Sequence, residues 1–106
     1  MRSLSQMITG VEEKRSATPA AFSLSQNHPN PFNPTTTINY DIPARSYVTL
    51  VVYDILGRRV ETLVNGEKQP GHYEATFGAS RLPSGVYLYR LQAGSFTSVR
   101  KMILVK

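Results

Sequence analysis

Between residues 35 and 105 the chain alternates apolar and polar positions with a period of two, the signature of half-buried β-strands. Thr35 to Ile42 puts Ile38, Tyr40 and Ile42 on one face and Thr37, Asn39 and Asp41 on the other, and Pro43 ends the run. Tyr47 to Ile55 is apolar on both faces, with Val48, Leu50 and Val52 opposite Tyr47, Thr49, Val51 and Tyr53, which predicts a strand in the middle of its sheet. Arg58 to Val64 predicts a further strand. Gly71 to Phe77 sends Tyr73, Ala75 and Phe77 inward and His72, Glu74 and Thr76 outward. Gly85 to Gln92 aligns Tyr87, Tyr89 and Leu91. Ser95 to Val105 runs back with Met102 and Leu104 on one face. A short strand at Phe22 to Ser25 brings the expectation to about seven.

Turn residues fall between these runs. Asp54-Ile55-Leu56-Gly57 predicts a turn in which Asp54 bonds backbone N–H groups and Gly57 takes a positive φ. Asn65-Gly66, Gln69-Pro70-Gly71, the 78–83 segment and Ala93-Gly94 predict further turns. Asn27 to Pro34 carries Pro29, Pro31 and Pro34 and can be neither a helix interior nor a central strand. The expectation there is a stiff, extended connection whose large apolar residue, Phe32, plugs into the edge of the core. Strands at this spacing predict an all-β, immunoglobulin-like β-sandwich of about seven antiparallel strands; a jelly-roll sandwich is the alternative.

Residues 1–21 lack a sustained period and end in Ala17-Thr18-Pro19-Ala20-Ala21. They read as a flexible N-terminal tail or linker, with a short helix over 5–15 as an alternative. Residues 22–106 form the domain. No secretory leader is legible at the start, so an exported protein would carry this chain as a fragment of its precursor.

Composition narrows the function. Apolar residues make up 41% and charged residues 18%, a globular balance. The net charge of +5 is scattered from Arg2 to Lys106 without aromatic interleaving, which argues against nucleic acid. No apolar run reaches the ~18 residues of a membrane span. The chain has no cysteine, and its seven carboxylates show no calcium-loop spacing. His28 and His72 lack a nucleophile elbow nearby, and Asp41, Glu61 and Glu74 fall on outward faces. No catalytic residue, metal ligand or cofactor site is expected. Tyr40, Tyr87 and Tyr89 share faces with aliphatic residues, which favours a core over a sugar-stacking platform, and there is no Trp.

The order of four short motifs carries a resemblance. Phe22 to Ile38 contains Pro29-Asn30-Pro31-Phe32 followed by Asn33-Pro34-Thr35-Thr36. Val52 to Arg58 includes Gly57. Gly85-Val86-Tyr87 opens the third block, and Lys101-Met102-Ile103-Leu104-Val105 closes the chain before Lys106. Residues 22–106 resemble the C-terminal sorting domain of type IX secretion cargo from Bacteroidetes and related bacteria. That family is in turn similar to the immunoglobulin-like domain of flagellar hook-capping proteins. His28 stands where the family usually has Tyr.

The resemblance implies a non-catalytic signal. An outer-membrane translocon would read it after periplasmic transit of a parent protein fused N-terminally. A sortase-like peptidase would remove it within residues 10–22, often transferring the parent to a surface lipopolysaccharide. The destination implied is the cell surface or the medium. A carbohydrate-binding or cell-attachment module and an inert spacer are the alternatives. The hairpin 85–106 is the expected working surface, its last strand either pairing with a partner strand or only completing the sandwich.

Overall fold

The computed structural model describes residues 18–106; the tail expected over 1–21 and the alternative helix over 5–15 fall mainly outside them. Seven strands follow in order: β1 (Ser23–Leu24), β2 (Thr35–Ile42), β3 (Ser46–Asp54), β4 (Arg59–Lys68), β5 (Gly71–Gly78), β6 (Gly85–Ala93) and β7 (Phe96–Leu104). They form two antiparallel sheets, β1-β2-β5 and β4-β3-β6-β7. This is the expected all-β sandwich. In constant-type immunoglobulin domains the fourth strand joins the sheet of the fifth; here β4 pairs with β3 instead.

Alternation decides what lies between the sheets. Ile38, Tyr40 and Ile42 from β2 meet Val48, Leu50 and Val52 from β3, and Tyr87, Tyr89 and Leu91 from β6 pack beside Met102 and Leu104 from β7. All are buried. Each such side chain contributes about 1.5–3 kcal/mol relative to exposure. β3, apolar on both faces, is interior, between β4 and β6. Its outer face is partly shielded by the Arg90 guanidinium, 5.3 Å from the Tyr53 ring centroid.

Two local expectations give way. Asn65-Gly66 is not a turn: β4 runs through it, with Asn65 opposite Thr49 and Gly66 opposite Val48. Long β3 offers a continuous partner, the Asn65 side chain accepts the Tyr47 hydroxyl (2.6 Å), and a bulge near Leu63 keeps the register. Tertiary pairing overrides the local preference. The chain turns instead at Gln69-Pro70, as expected of that segment. Nor is the proline-rich segment extended. It bends through 29–31 and 33–34 with three cis X–Pro bonds, and it returns so that His28 pairs antiparallel with Thr37. Gly94 at φ +57 opens the two-residue β6–β7 loop, the place type II′ hairpins give to glycine.

Tyrosine hydroxyls tie connections to the sheets. Tyr87 donates to the Pro83 carbonyl (2.7 Å), four residues upstream at the entry to β6. This is the tyrosine corner of immunoglobulin-like sandwiches. Tyr89 donates to the Ser25 carbonyl and accepts the Asn27 N–H, both at 2.7 Å. Burial, reinforced by the neighbouring Tyr73, pushes the Tyr40 phenol up to about 12. Its neutral form is therefore the folded form, and this contribution to stability is lost as pH rises from 10 through that value.

Tyr89→Phe keeps the ring but strands the buried Asn27 N–H and the part-buried Ser25 carbonyl; urea unfolding should register a loss of about 1–3 kcal/mol. Ultraviolet titration of the intact domain should show a phenol ionisation near pH 12 that is lost in Tyr40→Phe.

Candidate recognition surface

The motifs that are far apart in sequence meet at one end of β7. Gly85, Val86 and Tyr87 pair across the hairpin with Leu104, Ile103 and Met102. On the other side of β7 lies the proline-rich segment. Phe32 bridges Leu104 in parallel: its N–H donates to the Ile103 carbonyl (2.9 Å) and its carbonyl accepts the Val105 N–H (3.0 Å). The Asn30 side chain accepts the Ile103 N–H (2.9 Å), and Gln26 donates to the Lys101 carbonyl (2.7 Å). The Phe32 ring is buried among the core residues, 6.0 Å from Phe77. Pro29 and Pro31 are exposed and shape the bend. Through the Phe32 backbone and the Asn30 and Gln26 side chains the segment occupies the β7 edge at Lys101, Ile103 and Val105, so an incoming strand meets that stretch already occupied.

A buried polar network holds the bend. Asn27, 2% exposed, donates through Nδ2 to the Pro29 carbonyl (3.1 Å) and to Thr36 Oγ1 (3.0 Å), while its Oδ1 accepts from Gln26 (2.6 Å). Thr36 donates on to the same Pro29 carbonyl (2.9 Å). Such a network specifies one geometry because its members pair with one another.

Gly57 belongs to the adjoining β3–β4 turn and takes φ +84 as expected. Asp54 organises that turn: Oδ1 accepts the N–H groups of Leu56 (2.9 Å) and Arg58 (3.0 Å), and Oδ2 accepts Arg58 Nε (2.8 Å). The Arg58 backbone N–H, foremost, holds the Asp54 carboxyl below its usual 3.8, with the Arg58 side chain and Leu56 N–H assisting. Between this turn and the 82–87 segment lies a groove of about 460 Å³, walled by Ile55, Leu56, Leu82, Pro83 and Val86.

Catalytic geometry is a poor fit to the polar groups. Ser23 Oγ donates to Asp41 Oδ2 (2.9 Å), and His72 Nδ1 bonds Asp41 Oδ1 (2.7 Å). The serine gives its proton to a carboxylate rather than to an imidazole, which leaves it unactivated as a nucleophile. Among the described residues no group of three or more His, Cys, Asp or Glu could hold a metal ion. Tyr40, Tyr87 and Tyr89 lie in the core, away from any sugar-stacking surface.

The family model of the secretion system C-terminal sorting domain matches residues 27–106. The chain belongs to that family. Its members are C-terminal signals for type IX secretion. Among solved structures the domain is similar to part of dimeric latent PorU from Porphyromonas gingivalis, with a TM-score of 0.61 and 21% identity over 82% of this chain. The match takes in 10% of the PorU chain, and at that identity the likeness is one of fold. No curated protein matches the chain.

Several residues that shape the sorting domain's edge escape a reading of pattern. Asn27 and Thr36 look like loop and strand polar residues, and neither has a local signal of burial. Gln26 and Arg100 reach the backbone of distant segments, with Arg100 Nε donating to the Leu24 carbonyl at 2.6 Å. The tyrosine corner did have a signal: Tyr87 two residues into a strand after Leu82-Pro83-Ser84.

Asn30→Ala should lower the hydrogen-exchange protection of the Ile103 amide and cost about 0.5–1.5 kcal/mol in urea unfolding. Asp54 contributes stability above its ordinary value of 3.8 that is lost as pH falls through the lowered one. The urea midpoint of the native chain should therefore fall more steeply with acid below pH 3.8 than that of Asp54→Asn.

Proposed function

We propose that the domain is a non-catalytic address that an outer-membrane translocon reads and a sortase-like peptidase then removes. The parent protein would precede residue 22 and cross the periplasm on its way to the cell surface or the medium. The observation that carries this reading is the convergence of Pro29–Phe32, Gly85–Tyr87 and Lys101–Val105 on one end of β7. Those segments are the ones that carry the sorting-family resemblance, and a partner could touch all three at once. Gly57 sits in the neighbouring turn. Removal would cut within residues 10–22, ahead in sequence of Ser23–Leu24.

The test is a fusion of residues 10–106 to a periplasm-directed reporter in a bacterium with type IX machinery. It is compared with a version lacking Lys101 to Lys106 and with the reporter fused to an unrelated immunoglobulin-like sandwich. The expected outcome is that only the first reaches the surface. Retention of all three in the periplasm, or export of all three, overturns the reading.

A further inference from the structure

Alternation divides the last hairpin into two sets of residues. Tyr87, Met102 and Leu104 face inward and are buried, and folding accounts for them. Val86, Lys101 and Ile103 face outward. Val86 and Ile103 are cross-strand partners and stay 37% and 36% exposed. A strand that merely completes a sandwich can take polar residues at such positions. The exposed half of the motif therefore asks for a reason other than folding.

Cross-strand register lays the outer face out in rows. Beside the Val86–Ile103 pair runs the row Arg59, Tyr53, Leu88, Lys101, crossing from β4 to β7. The next row is Thr62, Val51, Arg90, Val99. Three cations thus border or cross an apolar strip, and no carboxylate stands in these rows. The carboxylates of the described residues are placed elsewhere. Asp41 and Glu74 belong to the other sheet, and Asp54 is closed by Arg58. Glu67 pairs with Arg45 at 2.6 Å, and Glu61 is partnered with inward-facing Val52. The strip is built of branched and aromatic side chains on a pleated surface, and Arg90 lies over Tyr53. With no carboxylate among them, Arg59, Arg90 and Lys101 call for an acidic partner, and the apolar side chains beside them call for an apolar one, a combination that suits another protein's surface.

We propose that this outer face of β3, β6 and β7 docks an acidic protein surface belonging to the export machinery. The partner's apolar side chains cover Val86 and Ile103, and its carboxylates meet Arg59 and Lys101. The inference rests on the sorting reading and deepens it by naming the surface that is read and the charge of its reader. Complementary charge of this kind speeds encounter and selects the partner, and salt screens it.

The test measures binding of the labelled full chain to outer-membrane fragments from a bacterium with type IX machinery, with and without protease pretreatment of the fragments. The expected result is saturable binding that protease abolishes and salt weakens. The pair Arg59→Glu with Lys101→Glu should reduce affinity about tenfold or more. Val86→Thr with Ile103→Thr, which keeps the β-branched shape, should reduce it several-fold under conditions where urea unfolding shows the variant fully folded. Arg45→Glu with Lys68→Glu, the same change in net charge placed elsewhere, should leave it intact. Equal losses from both charge-reversed pairs, binding that survives protease, or no binding by the native chain overturns the proposal. Native export of the Arg59→Glu, Lys101→Glu fusion overturns this face alone and leaves the sorting reading standing. Failure of the unaltered fusion to be exported overturns the sorting reading itself.

Discussion

Phe32 joins the core to the edge of the sheet. Its ring is buried between the layers, and its own N–H and carbonyl pair with Ile103 and Val105 on β7. One residue thus closes the hydrophobic interior and occupies the exposed side of an edge strand. A small sandwich has little core to spare and several open edges, and an open apolar edge invites association. Seating Phe32 answers both demands, and the bend that permits it follows from three prolines and from the Asn27–Thr36 network beneath them.

The rest of the recognition end depends on that closure. Because residues 26–32 lie along β7, its terminal half is held in register between two partners, β6 on one side and the proline-rich segment on the other. Val86, Lys101 and Ile103 are consequently displayed from a pre-ordered surface, and a partner that reads them has less ordering entropy to overcome. Closing the edge also leaves the strand's face, and not its backbone, open to the partner proposed above. Side chains carry more discrimination there than main-chain hydrogen bonds, which any extended peptide could supply.

Polar groups at this end keep the turns fixed. Asp54 spends both oxygens on its own turn and Arg58, Tyr87 ties the entry to β6, and Tyr89 ties β6 to the chain leaving β1. Even the Ser23, Asp41 and His72 cluster links three strands of one sheet through the carboxylate. Each of these groups stitches a connection, which suits a domain whose work is to be read.

By itself the sequence determined the strands, their inward faces and the sandwich class, because a period of two and its turn residues are local properties. It also marked Phe32 as a core plug, Gly57 as a positive-φ turn residue and Tyr87 and Tyr89 as core. It misplaced a turn at Asn65-Gly66, where a long neighbouring strand outweighed a local preference. It read the proline segment as extended, because fixing φ at each proline says nothing about which distant groups the segment will meet. Only the tertiary structure decided that β4 lies beside β3, that Asn27 is buried, and that the segment folds back to cover β7. It also assembled Arg59, Tyr53, Leu88 and Lys101 into one row. Those outcomes depend on register between segments tens of residues apart, and register is set by packing that no single segment contains.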